Sequence, residues 1–365
     1  NKDKKNFQIV LLTADENYKE LLKQAKKYKV KNIIITNYKS YKILKSKLKK
    51  SKIKIFNNFN NLNEIFYTKV DYIMSAITGI HGLLPTVNSI QYTKKIAIAN
   101  KESIICGWNI IQKKLSKYKT EFIPVDSEHF TIWYGIKNNK DVVQKLILTA
   151  SGGPFINLPL KNFKNINLNQ ALTHPNWKMG KKITIDSSTM MNKVFEIIEA
   201  KKIFGIDYKN ISIVTHPTSY IHSIIKFSNG LIKLIAHDTN MKIPIFNSLY
   251  EDDINRKIHT KEIDFKKLND LKFKKVDLKK FPVVDILKIL PNGNSLFETV
   301  IVSANDALVD LFLSRKIKFK DLSTKLLNIL KSKTYNKYKK IRPKNINEII
   351  KLNNYVRLKV NSKSI

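Results

Sequence analysis

Acidic residues are scarce in this 365-residue chain: 29 Asp and Glu stand against 67 Lys and Arg, a formal net charge of +38. Such an excess is one mark of a polyanion-binding protein. The lysines run along the whole chain rather than gathering in one arm, however, and no nucleic-acid motif accompanies them. The excess therefore reads as a compositional bias, shared with Ile and Asn, and no nucleic-acid partner is expected. A positive field would still draw in phosphorylated small molecules. Cysteine is almost absent: Cys106 stands alone, so no intrachain disulfide can form and a reducing compartment is expected. No apolar run approaches the roughly 20 residues that span a bilayer, so no membrane span is expected. No signal-peptide pattern precedes the first apolar segment, which points to the cytoplasm, or to an organelle if a targeting segment preceded Asn1. There is no internal repeat. Apolar residues are not lacking; at 43% over this length they support two or three domains.

The first 125 residues alternate short apolar runs with amphipathic segments. Strands are expected at Phe7–Ala14, Asn32–Thr36, Ile53–Phe56, Val70–Ala76 and Ile96–Ala99. Helices are expected after Tyr18, from Ser40, from Leu83 and from Ser103. This alternation predicts an α/β, Rossmann-like, doubly wound parallel sheet, with ligands beyond the carboxyl ends of its strands. Two polar clusters fall there, Ser75 to Gly79 and Asn100 to Ser103. Residues 126–250 read as a central α+β domain. A strand at 143–149 ends in Ser151-Gly152-Gly153, and Ile221–Phe227 and Leu231–Ala236 flank an Asn229-Gly230 hairpin turn. The charged, weakly periodic segment 251–280 reads as a linker. Residues 281–365 read as a C-terminal helical bundle, with helices at Leu296–Leu313, Leu322–Ser332 and Ile346–Leu352.

Asp126-Ser127-Glu128 is read as extended, which puts two carboxylates on one face. Two hard oxygen ligands side by side suit Mg²⁺ or Mn²⁺, although such a triplet alone is usually solvated surface. Further on, Ser187-Ser188-Thr189 is read as a helix start. Asn192, Glu196 and Glu199 then fall at i, i+4 and i+7 on one helix face, beside Lys193. The apolar Met190, Met191, Val194, Ile197 and Ile198 around that stripe argue that it is buried rather than exposed, and buried carboxylates need a metal or a base. Ser151-Gly152-Gly153 and the Ser187, Asn192, Lys193 group are candidate phosphate contacts. The loop 174–182, with His174, Trp177, Lys178 and Gly180, is a candidate lid. His222, in an apolar strand, reads as packed.

Taken together these segments resemble the 1-deoxy-D-xylulose 5-phosphate reductoisomerase family. The matching stretches are IANKESIICGW (98–108), PVDSEHFTIW (124–133), LTASGGPF (148–155), HPNWKMGKKITIDSSTMMNKVFEIIEA (174–200), THPTSYIHS (215–223) and DTNMKIPI (238–245). The resemblance implies that Asp126, Glu128 and Glu196 hold Mg²⁺, Mn²⁺ or Co²⁺, with Glu199 beside them. It makes Lys101, Asp126, Glu128 and Glu196 the catalytic set. Ser127, Ser151, His174, Trp177, Ser187, Asn192 and Lys193 would hold a sugar phosphate. Asn17, Ala76, Asn100, Lys101, Glu102 and Gly180 would face NADPH, and His222 would lie near the catalytic carboxylates. The implied reaction rearranges 1-deoxy-D-xylulose 5-phosphate and reduces the product with NADPH to 2-C-methyl-D-erythritol 4-phosphate, in a homodimer.

Three departures from the family pattern stand out. The family's first strand and glycine-rich cofactor loop are not found and are expected before Asn1. Ala14-Asp15-Glu16-Asn17 occupies the place where a basic residue usually meets the cofactor 2′-phosphate, so weaker NADPH preference is expected. Val302-Ser303-Ala304-Asn305-Asp306 replaces Asn-Ala-Ala-Asn-Glu. On the residues alone, another metal-dependent nicotinamide dehydrogenase and a sugar-phosphate phosphoesterase remain alternatives.

Overall fold

The computed structural model describes residues 6–251, 253 and 255–362. The chain divides into two compact units, Asn1–Asp71 with Asn88–Lys94, and Tyr72–Val87 with Lys95–Ile365.

The first unit contains β1 (Leu11–Ala14), α1 (Tyr18–Lys27), β2 (Asn32–Ile35), α2 (Tyr38–Lys47) and β3 (Lys54–Phe56). The three strands form a parallel sheet, with Leu11 opposite Asn32 and Ile33 opposite Ile55. Ile33, Ile34 and Ile35 of the central strand are all buried. A continuous apolar run is what a strand covered on both faces requires. Asn17 and Asn37 begin the two helices by accepting the backbone N–H groups of Glu20 and Ser40. Leu21, Ala25 and Leu44 then pack with the sheet residues Ile33 and Ile35. The first strand starts at Leu11 rather than Phe7, because only from there does it find a paired neighbour.

A second three-stranded sheet joins β4 (Val70–Ser75), β5 (Thr93–Ile98) and β6 (Glu121–Pro124), with α3 (Leu83–Ser89) and α4 (Lys101–Tyr118) between them in the chain. The expected parallel α/β pattern holds: among the described residues these strands pair as β1-β2-β3 and as β4-β5-β6. The second unit continues with α5 (Ser127–Ile136), β7 (Val143–Ala150), α6 (Leu168–Ala171), α7 (Lys181–Thr189) and α8 (Met191–Phe204). Then follow β8 (Ile211–Thr215), β9 (Ile221–Phe227), β10 (Ile232–Ala236), α9 (Lys242–Leu249), α10 (Phe265–Asn269) and β11 (Lys274–Lys275). A mixed five-stranded sheet has the order β10-β9-β7-β8-β11. One face of it is covered by α5 and α8: Ile132, Ile197 and Ala200 pack on Leu146, Leu148, Ile211, Ile225 and Phe227. Burying a side chain of that size contributes roughly 1.5–3 kcal/mol. This shared core brings the first turns of α5 and α8 together.

The expected linker 251–280 is partly built into this sheet. Lys274 and Lys275 of β11 pair antiparallel with Thr215 and Val214. Two exposed lysines on an edge strand carry no apolar alternation by which to recognise them. Residues 252 and 254 of that segment lie outside the described residues.

The chain ends in α11 (Phe297–Leu313), α12 (Phe319–Lys331), α13 (Lys333–Asn336) and α14 (Ile346–Ser362). Helix α11 is buried along most of its length, from Phe297 to Asn305 without a break. No helix among the described residues is long and apolar enough to cross a membrane.

Candidate active site

Ser127 and Glu128 are not extended but open α5. Asp126 is the N-cap of α5, with φ −55° and ψ 132°, and its carbonyl accepts from Phe130 N at 2.7 Å. Its side chain makes no capping hydrogen bond, which leaves the carboxylate available elsewhere. The helical turn also turns His129 toward Asp126, since side chains three apart share a face.

The Ser187-Ser188-Thr189 group closes α7 rather than opening α8. Met190 follows with φ +69°, a left-handed conformation that costs a non-glycine residue on the order of 1 kcal/mol. The break lets α8 leave α7 at a new angle, with Asn192, Glu196 and Glu199 on its buried side; the two glutamates are 1% exposed.

These helices bring the expected carboxylates together. Lys101 Nζ lies 2.6 Å from Asp126 Oδ2 and 3.2 Å from Glu196 Oε1, and it donates to Asn192 Oδ1 at 2.8 Å. Lys193 Nζ donates to Glu128 Oε1 at 2.6 Å and also contacts Glu196 Oε2. Ser127 Oγ donates to Glu128 Oε2 at 2.7 Å. Asn100 caps α4 by accepting from Ser103 N at 2.6 Å, and its amide donates to Gly79 O at 2.8 Å. Lys101 is thereby held in the first turn of α4.

Burial and the neighbouring Glu128 push Glu196 up to about 7, against the pull of Lys193 and Lys101. Burial and Asp126 raise Glu199 well above the usual carboxylate range. Burial acts on Glu128 too, but Lys193 and His222 outweigh it and hold it below that range. His129 is fully buried; its Nε2 faces Glu196 O at 2.9 Å, and its Nδ1 faces Glu199 Oε2 at 3.5 Å. A proton on Nε2 satisfies that carbonyl and leaves Nδ1 as a lone pair.

Ligand atoms of Asp126, Glu128 and Glu196 lie within 4.8 Å of one another, as do those of Asp126, His129 and Glu199. Asp126 Oδ2, Glu196 Oε2 and Glu199 Oε2 are buried without an acceptable hydrogen bond, even where an ammonium is close. Orphaned carboxylate oxygens in a hard-donor set are what Mg²⁺ or Mn²⁺ would satisfy. The residues fit such an ion.

Beside them lies a polar turn. Gly152 and Gly153 have φ +80° and +62°, and a Cβ on Gly153 would stand 2.9 Å from Ser187 O. Only glycine suits both the angle and the space. His174 Nδ1 accepts from the backbone N–H groups of Asn176 and Trp177 at 3.1 and 3.0 Å. The ring proton therefore sits on Nε2, which lies 3.2 Å from Ser151 Oγ and 3.1 Å from Ser187 Oγ. The loop 172–180 is anchored by Asn176 Nδ2, which donates to Pro217 O at 2.7 Å. With Thr184 it lines a pocket of about 610 Å³ that includes His174, Trp177 and Met179. Trp177 meets His222 edge-on at 6.1 Å, and His222 stacks on His237 at 3.8 Å.

Residues 1–107 match the family described as 1-deoxy-D-xylulose 5-phosphate reductoisomerase, and 122–204 and 237–359 match its two C-terminal domain descriptions. The reductoisomerase of Pelagibacter ubique is 59% identical over 366 residues, covering 100% of this chain and 94% of that protein. The chain belongs to the 1-deoxy-D-xylulose 5-phosphate reductoisomerase family. The Wolbachia pipientis reductoisomerase (subspecies Culex pipiens) is 38% identical over 330 residues, covering 87% of this chain and 82% of that protein. A crystal structure of a reductoisomerase with NADPH, fosmidomycin and magnesium superposes with a TM-score of 0.89 at 28% identity, over 100% of this chain and 93% of that one. The Zymomonas mobilis reductoisomerase in complex with NADPH gives 0.85 at 30% identity, with the same coverage.

Of the residues singled out by resemblance to the reductoisomerases, Lys101, Asp126, Ser127, Glu128, Asn192, Lys193 and Glu196 form one connected cluster. Ser151, His174 and Ser187 form a second group. Asn17 caps α1 in the first unit, Ala76 is exposed just after β4, and Gly180 is the exposed N-cap of α7. The carboxylate of Glu102, expected to face the cofactor, is paired with Lys182 at 2.7 Å. Sequence reading missed His129, which the helical i+3 spacing from Asp126 would have revealed, and it missed Lys182.

Proposed function

We propose that this chain rearranges 1-deoxy-D-xylulose 5-phosphate and reduces the product with NADPH to 2-C-methyl-D-erythritol 4-phosphate, with Mg²⁺ or Mn²⁺ as its metal. The observation that carries the reading is that ligand oxygens of Asp126, Glu128 and Glu196 converge within 4.8 Å of one another, in a chain whose family is this reductoisomerase. These three carboxylates would hold the ion, which when bound polarises the substrate carbonyl and orders adjacent oxygens. Ser151, Ser187, Asn192 and Lys193 would hold the phosphate, with His174 Nε2–H orienting the two hydroxyls. Lys101 would bring an ammonium to the oxygens of the substrate, with Asn100 fixing it in place and Ser127 holding Glu128. Trp177 and Met179 on loop 172–180 would exclude water from the aldehyde before hydride transfer. The nicotinamide end of NADPH would be met by Ala76, Asn100, Lys101, Glu102 and Gly180; Asn17 belongs to the segment after β1 expected to meet the 2′-phosphate.

A homodimer is part of this reading. Leu231, Ile232 and Leu234 are 60%, 55% and 45% exposed on β10 and its turn, at the edge of the five-stranded sheet. An apolar edge strand of that kind is suited to pairing with a second copy. We infer a cytoplasmic location, a reading supported by the single buried cysteine.

The test is substrate-dependent loss of NADPH absorbance on adding Mg²⁺. Glu128→Gln should abolish most of it, by about 100-fold or more. Release of inorganic phosphate from the sugar phosphate without NADPH consumption would reject the reading in favour of a phosphoesterase.

A further inference from the structure

Lys182 stands two residues after Gly180, in the first turn of α7, where loop 172–180 ends. Its ammonium sits among carboxylates from three helices: Glu102 of α4 at 2.7 Å, Asp186 of α7 at 3.0 Å and Asp306 of α11 at 3.2 Å. Asn305 Nδ2 donates to the other oxygen of Asp186 at 2.7 Å. The Asp186 side chain is 1% exposed, Glu102 10% and Asp306 14%. Three acids buried this close together require the cation; removing it would leave them uncompensated. Burial opposes the charge on Lys182, but Asp186, Asp306 and Glu102 outweigh it and hold the group well above the ordinary lysine value.

Two of the acids and the lysine itself stand next to elements of the site. Glu102 is the neighbour of Lys101, whose ammonium reaches Asp126 and Glu196. Asp186 precedes Ser187, whose hydroxyl meets His174. Lys182 itself closes the loop that carries Trp177.

We propose that Lys182 is a positioning residue that pins the exit of loop 172–180 to the helix turn carrying Lys101, so that loop closure and the placement of the Lys101 ammonium are set together. The substrate named here rests on the reading above; the pinning itself can be measured without turnover. The test uses Lys182→Met, Lys182→Arg and Asp306→Asn in the full-length protein. Without ligand, trypsin cleavage after the exposed Lys178 should accelerate about fivefold in Lys182→Met and return near wild type in Lys182→Arg. In steady state, KM for 1-deoxy-D-xylulose 5-phosphate should rise about tenfold in Lys182→Met with kcat changed less, and Arg should restore it. Asp306→Asn, which keeps the cation and two acids, should move both readouts in the same direction by about twofold, and it decides the matter if Lys182→Met does not fold. Unchanged Lys178 cleavage with unchanged KM would overturn the proposal, as would a fall in kcat alone. A wild-type protein that turns over no substrate would reject the activity, while the proteolysis arm would still decide the pinning.

Discussion

Lys101 Nζ and Glu196 Oε1, from residues 95 positions apart in the chain, meet at 3.2 Å between the first turn of α4 and the second turn of α8. The ammonium only partly offsets what burial and Glu128 do to Glu196, which stands at about 7. A metal ion must take this carboxylate in its ionised form, so binding displaces a proton. Mn²⁺ affinity, followed by the loss of free-ion EPR signal, should therefore weaken by roughly tenfold per pH unit below about pH 7. Glu196→Gln should bind Mn²⁺ weakly at every pH and lose that slope. A pH-independent affinity in the wild type would contradict the assignment.

The buried histidines predict acid sensitivity. Burial lowers His129 from 6.5 to about 4, and burial with His237 lowers His222 to about 3. Both folded-state values lie below the unfolded one, so the unfolded chain takes up protons first as pH falls. Their contribution to stability is complete above about 6.5 and is lost as pH falls through the range down to about 4 and then 3. Tm should decline across that window. The decline should be shallower in His222→Gln, and a Tm unchanged between pH 6.5 and 4 would refute it.

Gly153→Ala should damage the polar turn. The new methyl would stand 2.9 Å from Ser187 O and 3.1 Å from Ser188 Cα, at φ +62°. A cost of about 1–3 kcal/mol is expected, read as a lower denaturation midpoint. KM for the sugar phosphate should rise as well, because Ser187 must move. A variant with wild-type midpoint and KM would show that the turn has slack.

Cofactor choice should be less sharp than a basic pocket would give. Asp15 and Glu16 follow β1; Asp15 accepts from Thr36 Oγ1 at 2.5 Å, and both carboxylates are exposed. A carboxylate near a 2′-phosphate in water costs roughly 1 kcal/mol. Asp15→Asn with Glu16→Gln should therefore raise the ratio of kcat/KM for NADPH over NADH about fivefold or more. A ratio that does not respond would remove these residues from the question.

Leu234→Asp, with Ile232→Asp as a second variant, should shift sedimentation toward a monomer, since a charge at an apolar edge opposes pairing. Wild-type protein sedimenting as a monomer at all concentrations would reject the homodimer.

Much of this was legible in the chain. Strand 32–35, buried on both faces, was legible as a continuous apolar run, strand 221–227 by the Asn229-Gly230 turn that follows it, and the stripe Asn192, Glu196, Glu199 by helical period. The errors fell where local preference and tertiary demand part. Asp126 and Glu128 suit a helix start, but the apolar run after them fits a strand or a buried helix alike, and packing of Ile132 on the five-stranded sheet selects the helix. The break at Met190 was also hidden, since nothing in a Thr-Met-Met run asks for a left-handed residue.

By itself the sequence determined the inventory: three acids and two lysines of the right type, in helices whose apolar sides must be buried, and a glycine pair for a tight turn. Only the tertiary structure decided which of them meet. It set Lys101 against Glu196, turned His129 toward Glu199, and closed three carboxylates around Lys182. Periodicity reports which face of an element is buried. Which charges share that buried space depends on the crossing of helices far apart in the chain, and on the requirement that every buried charge find its partner there.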